Sequence, residues 1–185
     1  GLQYQHGYRS GGASVTFFGG ELSEFDPEYT RTTELALRNQ WLDGALSLNA
    51  NLFYTDWTDQ QVTIGEETSF YTTTENAGES HQYGLEIESL VQLPSRLELF
   101  ASLGWLRSEF DRFVNSGENY ADNRFPLSPD RSGSLGLTLT NWKGVSGQVS
   151  VNYVGDIDSY ANNDPDGRVP SRTLLNAKLG YALPW

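Results

Sequence analysis

The 185 residues carry 24 acidic against 12 basic side chains, a net charge of −12, and no cysteine. That balance argues against nucleic acid as a partner, because phosphate binding needs a basic footprint. The missing thiols exclude a disulfide scaffold and thiolate metal sites. Mean hydropathy is −0.50, and no run approaches the roughly 18 apolar residues of a membrane-spanning helix; a membrane barrel stays open, because its strands alternate and average out as hydrophilic.

Apolar residues recur at every second position along the whole chain, the period of a strand with two unlike faces. Leu2, Tyr4, His6 and Tyr8 share one face, opposite Gln3 and Gln5. Leu35, Leu37 and Trp41 then oppose Glu34, Arg38 and Gln40. In "LSLNANLFYTD", Leu46, Leu48, Ala50, Leu52 and Tyr54 oppose Ser47, Asn49, Asn51 and Thr55. Tyr83, Leu85 and Ile87 oppose Gly84, Glu86 and Glu88, and Leu97, Leu99, Ala101, Leu103 and Trp105 oppose Glu98, Ser102 and Gly104. Leu135, Leu137 and Leu139 follow, then Val149, Val151 and Tyr153, and last Leu175, Ala177, Leu179, Tyr181 and Leu183. The pattern predicts about eight strands and an all-β chain without a convincing amphipathic helix.

The connections fall into two classes that alternate. Asp43-Gly44, Pro94-Ser95 and Lys143-Gly144 mark tight turns, whereas the long polar segments lie at 10–29, 58–80, 108–131 and 154–171. Eighteen of the 24 acidic residues but only four of the 12 basic ones fall in those long segments. An up-and-down barrel alternates short periplasmic turns with long extracellular loops in this way, and charges inside its strands take the polar parity, since a lipid-facing Arg or Lys costs about 2–4 kcal/mol. Trp41 and Trp142 adjoin short turns, and Tyr8, Tyr54, Trp105 and Tyr153 lie toward the long-loop ends, as aromatic girdles would. The polar face is lined by small groups such as Ser47, Asn49, Asn51, Ser134, Gly136, Thr138 and Ser150. These would leave voids in the narrow interior of an eight-stranded barrel, so they point to a wide lumen whose remaining wall lies outside this chain.

"GYRSGGAS", "FDPEYTRTTELALRNQWLDGALSLNANLFYTDWTDQQV", "NAGESHQYGLEIE", "NRFPLSPDRSGSLGLTLT" and "RTLLNAKLGYALPW" together resemble the later barrel strands of TonB-dependent outer-membrane receptors. The resemblance implies an antiparallel up-and-down transmembrane barrel of about 22 strands, of which residues 1–185 form a partial domain without the plug. It implies a Gram-negative outer-membrane receptor for active uptake of a scarce nutrient, such as a ferric siderophore. The implied partners are that small-molecule ligand, outer-membrane lipid and lipopolysaccharide, and the TonB energy-coupling complex through the N-terminal part. "KLGYALPW" also resembles the terminal signal of outer-membrane proteins, which would make the chain a small complete barrel, an adhesin or structural anchor. Pro184 opposes that reading, because it cannot donate to a closing seam.

The chain shows no catalytic constellation and no cofactor site, so an enzyme is not expected. His6 takes the lipid-facing parity and His81 stands at the foot of a loop. In "NNDPDG", Asn162, Asp164, Asp166 and Gly167 match the start of a calcium loop, but Thr173 stands where the bidentate Glu belongs, and a solvated turn is the expectation. On the loops, Phe17, Phe25, Tyr71, Tyr120, Phe125 and Tyr160 are the candidates for ligand contact, with packing among the loops as the competing role.

Overall fold

The computed structural model describes residues 1–15, 22–65, 72–115 and 117–182. In chain order the strands are β1 (Leu2–Arg9), β2 (Gly12–Val15), β3 (Leu22–Phe25), β4 (Glu28–Trp41), β5 (Leu46–Gly65), β6 (Thr72–Leu93) and β7 (Leu97–Arg112). They continue as β8 (Val114–Asn115), β9 (Glu118–Asn119), β10 (Arg131–Trp142), β11 (Val145–Val154), β12 (Ile157–Asp158), β13 (Arg168–Val169) and β14 (Arg172–Tyr181). Eight of them form one antiparallel sheet in the order β1-β4-β5-β6-β7-β10-β11-β14, and the rest pair off as β2-β3, β8-β9 and β12-β13. Every neighbour in the large sheet is thus the next long strand in sequence, the up-and-down order that the alternating connections predict.

The sheet carries its apolar side outward. Leu2, Leu35, Leu52 and Leu85 are successive register partners across four strands, and Ala101, Leu135, Val151 and Leu175 are partners across the next four. Because directly opposed residues share a face, these rows make a continuous aliphatic surface. It is open: Leu52 remains 52% and Leu135 55% exposed. The opposite face carries the row Arg38, Asn49, Glu88, Ser102, Ser134 and Asn152, knit by side-chain bonds such as Ser102 Oγ to Ser134 Oγ at 2.7 Å and Arg38 Nη1 to Asn51 Oδ1 at 2.7 Å. A soluble sheet buries its apolar side; this one exposes it and pairs its polar groups on the other.

The short ends of the strands close as expected. Trp142 pairs with Val145 across Lys143 and Gly144, both at positive φ (51° and 85°), the type I′ geometry that matches strand twist and favours glycine. The long segments depart from the expectation of loop. β5 runs to Gly65, β6 begins at Thr72 and β7 runs to Arg112, so much of 58–80 continues the β-sheet as an extended pair. Thr58, Thr63, Thr73 and Thr74 favour extended backbone, but with Gln60 and Gln61 between them they mark no face as apolar, which hides the strand from hydrophobic periodicity.

Among the described residues the buried hydrophobic ones are Val62, Ala77, Phe110, Phe113, Tyr120, Phe125 and Ala161. All of them belong to the long-connection end. The core sits above the wall, where the extensions of β5, β6 and β7 meet the connections that follow β7 and β11.

Candidate functional site: an aromatic cavity at the long-connection end

Ser108 and Phe110 continue the polar parity of β7, which carries Phe110 over the same side as Ser102 and Gly104. The ring of Phe110 stacks at a tilt on Phe113 (5.2 Å) and Phe125 (5.0 Å), Phe113 meets Tyr120 at 4.9 Å, and Trp57 meets Phe125 edge-on at 5.7 Å. Such offset and edge-on pairs are the favoured aromatic geometries. Val62 and Ile64 of β5 join this cluster because Asp59 leaves the extended conformation and the alternation of faces restarts beyond it. Register pairing stops at Thr58–Glu79 and resumes at Gln60–Ala77, and Asp59 takes φ 56°.

Polar bonds hold the two later connections together behind the rings. The Arg124 amide donates to Asn163 Oδ1 (2.7 Å), and Asn163 Nδ2 donates back to the Arg124 carbonyl (3.0 Å). Asn123 Nδ2 donates to the Ala161 carbonyl at 2.9 Å, and the Phe125 amide reaches Ser108 Oγ at 3.3 Å. The Arg124 guanidinium donates to Asp130 at 2.8 Å and also bonds Asp158, while Arg168 bonds Asp156. Burial works against the Arg124 charge, but Asp130 and Asp158 outweigh it and hold its pKa above the ordinary guanidinium value. The Asp156 carboxyl is held below the usual carboxylate range by its own backbone N–H and by Arg168. Burial, followed by the bond to Glu118, pushes the Tyr120 phenol up.

Against this cluster lies a cavity of about 400 Å³, lined among others by Gln60, Gln61, Phe110, Phe125, Ser159 and Tyr160. It combines aromatic walls with amide and hydroxyl groups, the composition of a small-molecule site. Of the six residues singled out from sequence, Phe125 and Tyr160 come together at this cavity. Tyr120 is packed inside the aromatic core, its phenol donating to Glu118 at 2.9 Å. Phe25 lies elsewhere, its ring over Gly12, its register partner on the neighbouring short strand. Phe17 and Tyr71 fall outside the described residues. Gln60 and Gln61 were not singled out, since a glutamine pair in a polar stretch carries no signal.

Other expected residues have settled roles. His81 on β6 is stacked between Tyr54 (5.9 Å) and Tyr83 (6.1 Å), with Nδ1 2.9 Å from Asp111. In "NNDPDG", Asn162 accepts from the Asp164 amide (3.1 Å) and Asp164 from the Asp166 amide (2.9 Å), so these side chains shape a turn. Among the described residues no group of three or more His, Asp or Glu side chains is placed to hold a metal ion.

The family model "TonB dependent receptor-like, beta-barrel" matches residues 2–185. The chain belongs to that family. Solved structures of TonB-dependent receptors superpose on nearly all of it: the ferric yersiniabactin uptake receptor FyuA of Yersinia pestis matches with a TM-score of 0.76 at 24% identity, over 97% of this chain and 27% of its own. The siderophore receptor PiuA of Acinetobacter baumannii matches with a TM-score of 0.69 at 22% identity, over 99% of this chain and 28% of its own. The copper transporter OprC gives 0.73 at 16% identity, over 99% and 29%. At these identities the likeness is one of fold, and the chain spans 27% to 29% of the length of each of these chains. A separate alignment at 31% identity over 134 residues pairs 66% of this chain with 8% of Translocase of chloroplast 159 of Arabidopsis thaliana, too small a part of that protein to carry a functional reading.

Proposed function

We propose that this chain is barrel wall from a Gram-negative outer-membrane receptor that takes up a scarce nutrient, a ferric siderophore, driven by the TonB energy-coupling complex. The observation that carries the reading is a family match over residues 2–185 on a sheet whose aliphatic side is exposed and whose long connections build an aromatic cavity. Lipid covers the aliphatic rows, the polar face lines the lumen, and the cavity contributes part of the capture site for an incoming chelate. FyuA, PiuA and the ferric citrate transporter FecA support the iron chelate as cargo; OprC, a copper transporter of similar fold, supports a metal other than iron as the alternative cargo. The barrel is a transport scaffold and its chemistry is binding. The energy-coupling complex and the ligand would both act through parts of the receptor beyond these strands as well.

A small complete barrel acting as adhesin or anchor would need β1 and β14 to pair, and they stand at opposite ends of an open order.

The test is uptake. Cells lacking the full receptor gene should lose transport of one iron chelate out of a panel, regain it on complementation, and lose it again when TonB is deleted. Transport that persists without TonB, or a panel in which no chelate depends on the gene, overturns the proposal.

A further inference from the structure

Among the described residues, none that lines the cavity at the long-connection end carries a formal charge. Val62, Phe110, Phe125 and the ring of Tyr160 give it apolar walls, and Gln60, Ser159 and the Tyr160 phenol are neutral polar groups. The walls are set before a ligand arrives. Phe125 packs on both Phe110 and Trp57, and the Tyr160 ring occupies the space that a β-carbon on Gly167 would need. Gln60 Oε1 accepts from Ser80 Oγ at 2.5 Å, which leaves its Nε2 to donate to an oxygen on a ligand.

The cations that could meet an anion here are engaged elsewhere. The four long segments contain four basic residues, Arg112, Arg124, Arg131 and Arg168, against 18 acidic ones. Arg124 is shared by Asp130 and Asp158, Arg168 bonds Asp156, and Arg112 lies 3.4 Å from Glu79. Arg131 begins β10 on the parity of Leu135, on the aliphatic side of the sheet. Arg9 and Arg172 take the polar parity, but they belong to the edge strands β1 and β14 and do not line the cavity. An approaching anion therefore meets a surplus of carboxylates, and a field of its own sign slows its entry.

We infer that this cavity takes a ferric chelate of no net negative charge, of the hydroxamate rather than the catecholate or carboxylate type. The inference rests on the iron-chelate reading above and narrows it. Hydroxamates each give up one proton to iron(III), and their tris-chelate is neutral. Catecholates each give up two, and theirs is strongly anionic. Seating an anion in this cavity would strip its water and offer no paired charge in return. A neutral chelate loses less hydration, its hydrocarbon parts meet the aromatic walls, and its oxygens accept from the Gln60 amide and the Ser159 and Tyr160 hydroxyls. Anions are thus rejected twice, by repulsion outside and by desolvation inside.

The full-length receptor in detergent is titrated, by quenching of its tryptophan fluorescence, with a panel of neutral ferric trihydroxamates, ferric tris-catecholate and ferric citrate. At low salt the tightest neutral chelate should bind at least about tenfold more strongly than either anionic one. Raising the salt should leave the neutral Kd in place and tighten the anionic ones, since screening weakens repulsion. Gln60→Lys sets a cation on the wall and should narrow the difference by at least about threefold. An anionic chelate that binds as tightly as the best neutral one, anionic binding that weakens with salt, or an unchanged difference in folded Gln60→Lys overturns the inference. Heat-modifiable migration shows that each protein is folded; should Gln60→Lys misfold, the salt series on the wild type carries the test. A folded receptor that binds no chelate in the panel overturns the iron-chelate reading itself, a result separate from charge selectivity.

Discussion

Phe53 on β5 lies directly opposite Gly84 on β6, and its ring covers the glycine, with Cζ 2.6 Å from where a β-carbon on residue 84 would stand. The same β-carbon would stand 2.6 Å from the Trp105 carbonyl oxygen on the following strand. The glycine is therefore needed for close approach on the polar face, and the aromatic ring fills the space that its missing side chain leaves.

Gly84→Ala should destabilise the wall by about 1–3 kcal/mol, the usual cost of overpacking. Removing the ring in the double variant with Phe53→Ala should recover only part of that, because the Trp105 backbone still obstructs. Urea unfolding in detergent, followed by tryptophan fluorescence, checks both values.

Leu52→Lys places an ammonium on the aliphatic row between Leu35 and Leu85 and should cost about 2–4 kcal/mol if that row meets the middle of the bilayer. Thr138→Lys, on the polar face opposite Glu98, should change stability by less than about 1 kcal/mol. Refolding into lipid vesicles separates the two, and equal costs would sink the assignment of faces.

Arg124→Ala should loosen the long-connection end without unfolding the wall. It leaves Asp158, 4% exposed, short of its principal charge partner, at an expected local cost of about 1–3 kcal/mol. Amide exchange should speed up at Leu127, whose N–H donates to the Asp158 carbonyl, and stay slow at Leu137 within β10.

Acid should release the connection between β11 and β14 late. The Asp156 pKa is lowered in the folded chain, so its contribution is fully present above the unfolded value of about 3.9 and is lost as pH falls through the folded value below it. Protection of the Arg168 and Val169 amides, taken against the unstructured exchange rate at the same pH, should therefore hold down to about pH 4 and fall only below it. Asp156→Asn should remove that acid-dependent step.

The wall was legible in the sequence because its signal is local: every second residue reports its side, as Leu46 to Tyr54 do, and turn residues such as Lys143-Gly144 mark the reversals. The strand extensions were not, because Thr72 to Glu75 and Gln60 to Thr63 give no apolar parity. The Arg124 cluster was invisible for another reason. Its partners Asp130 and Asp158 are 6 and 34 residues away, and only the folding of two connections against each other brings them to one guanidinium. Phe125 and Tyr160 could be singled out as exposed-looking aromatics, but the sequence could not separate them from Tyr120, which the same fold packs away.

The left-handed backbone at Asp59 has a geometric result for the whole strand. Below it, odd-numbered residues such as Thr55 and Trp57 point to the polar side; above it, Val62 and Ile64 take that side. One left-handed residue, opposite the unpaired Gly78, thus exchanges the two faces of β5 partway along its length while the register with β6 is kept. The lower half is painted for lipid outside and water within, and the upper half is painted the other way, with its greasy side turned in toward Phe110. Asp59 marks the height at which the strand stops being wall and becomes roof.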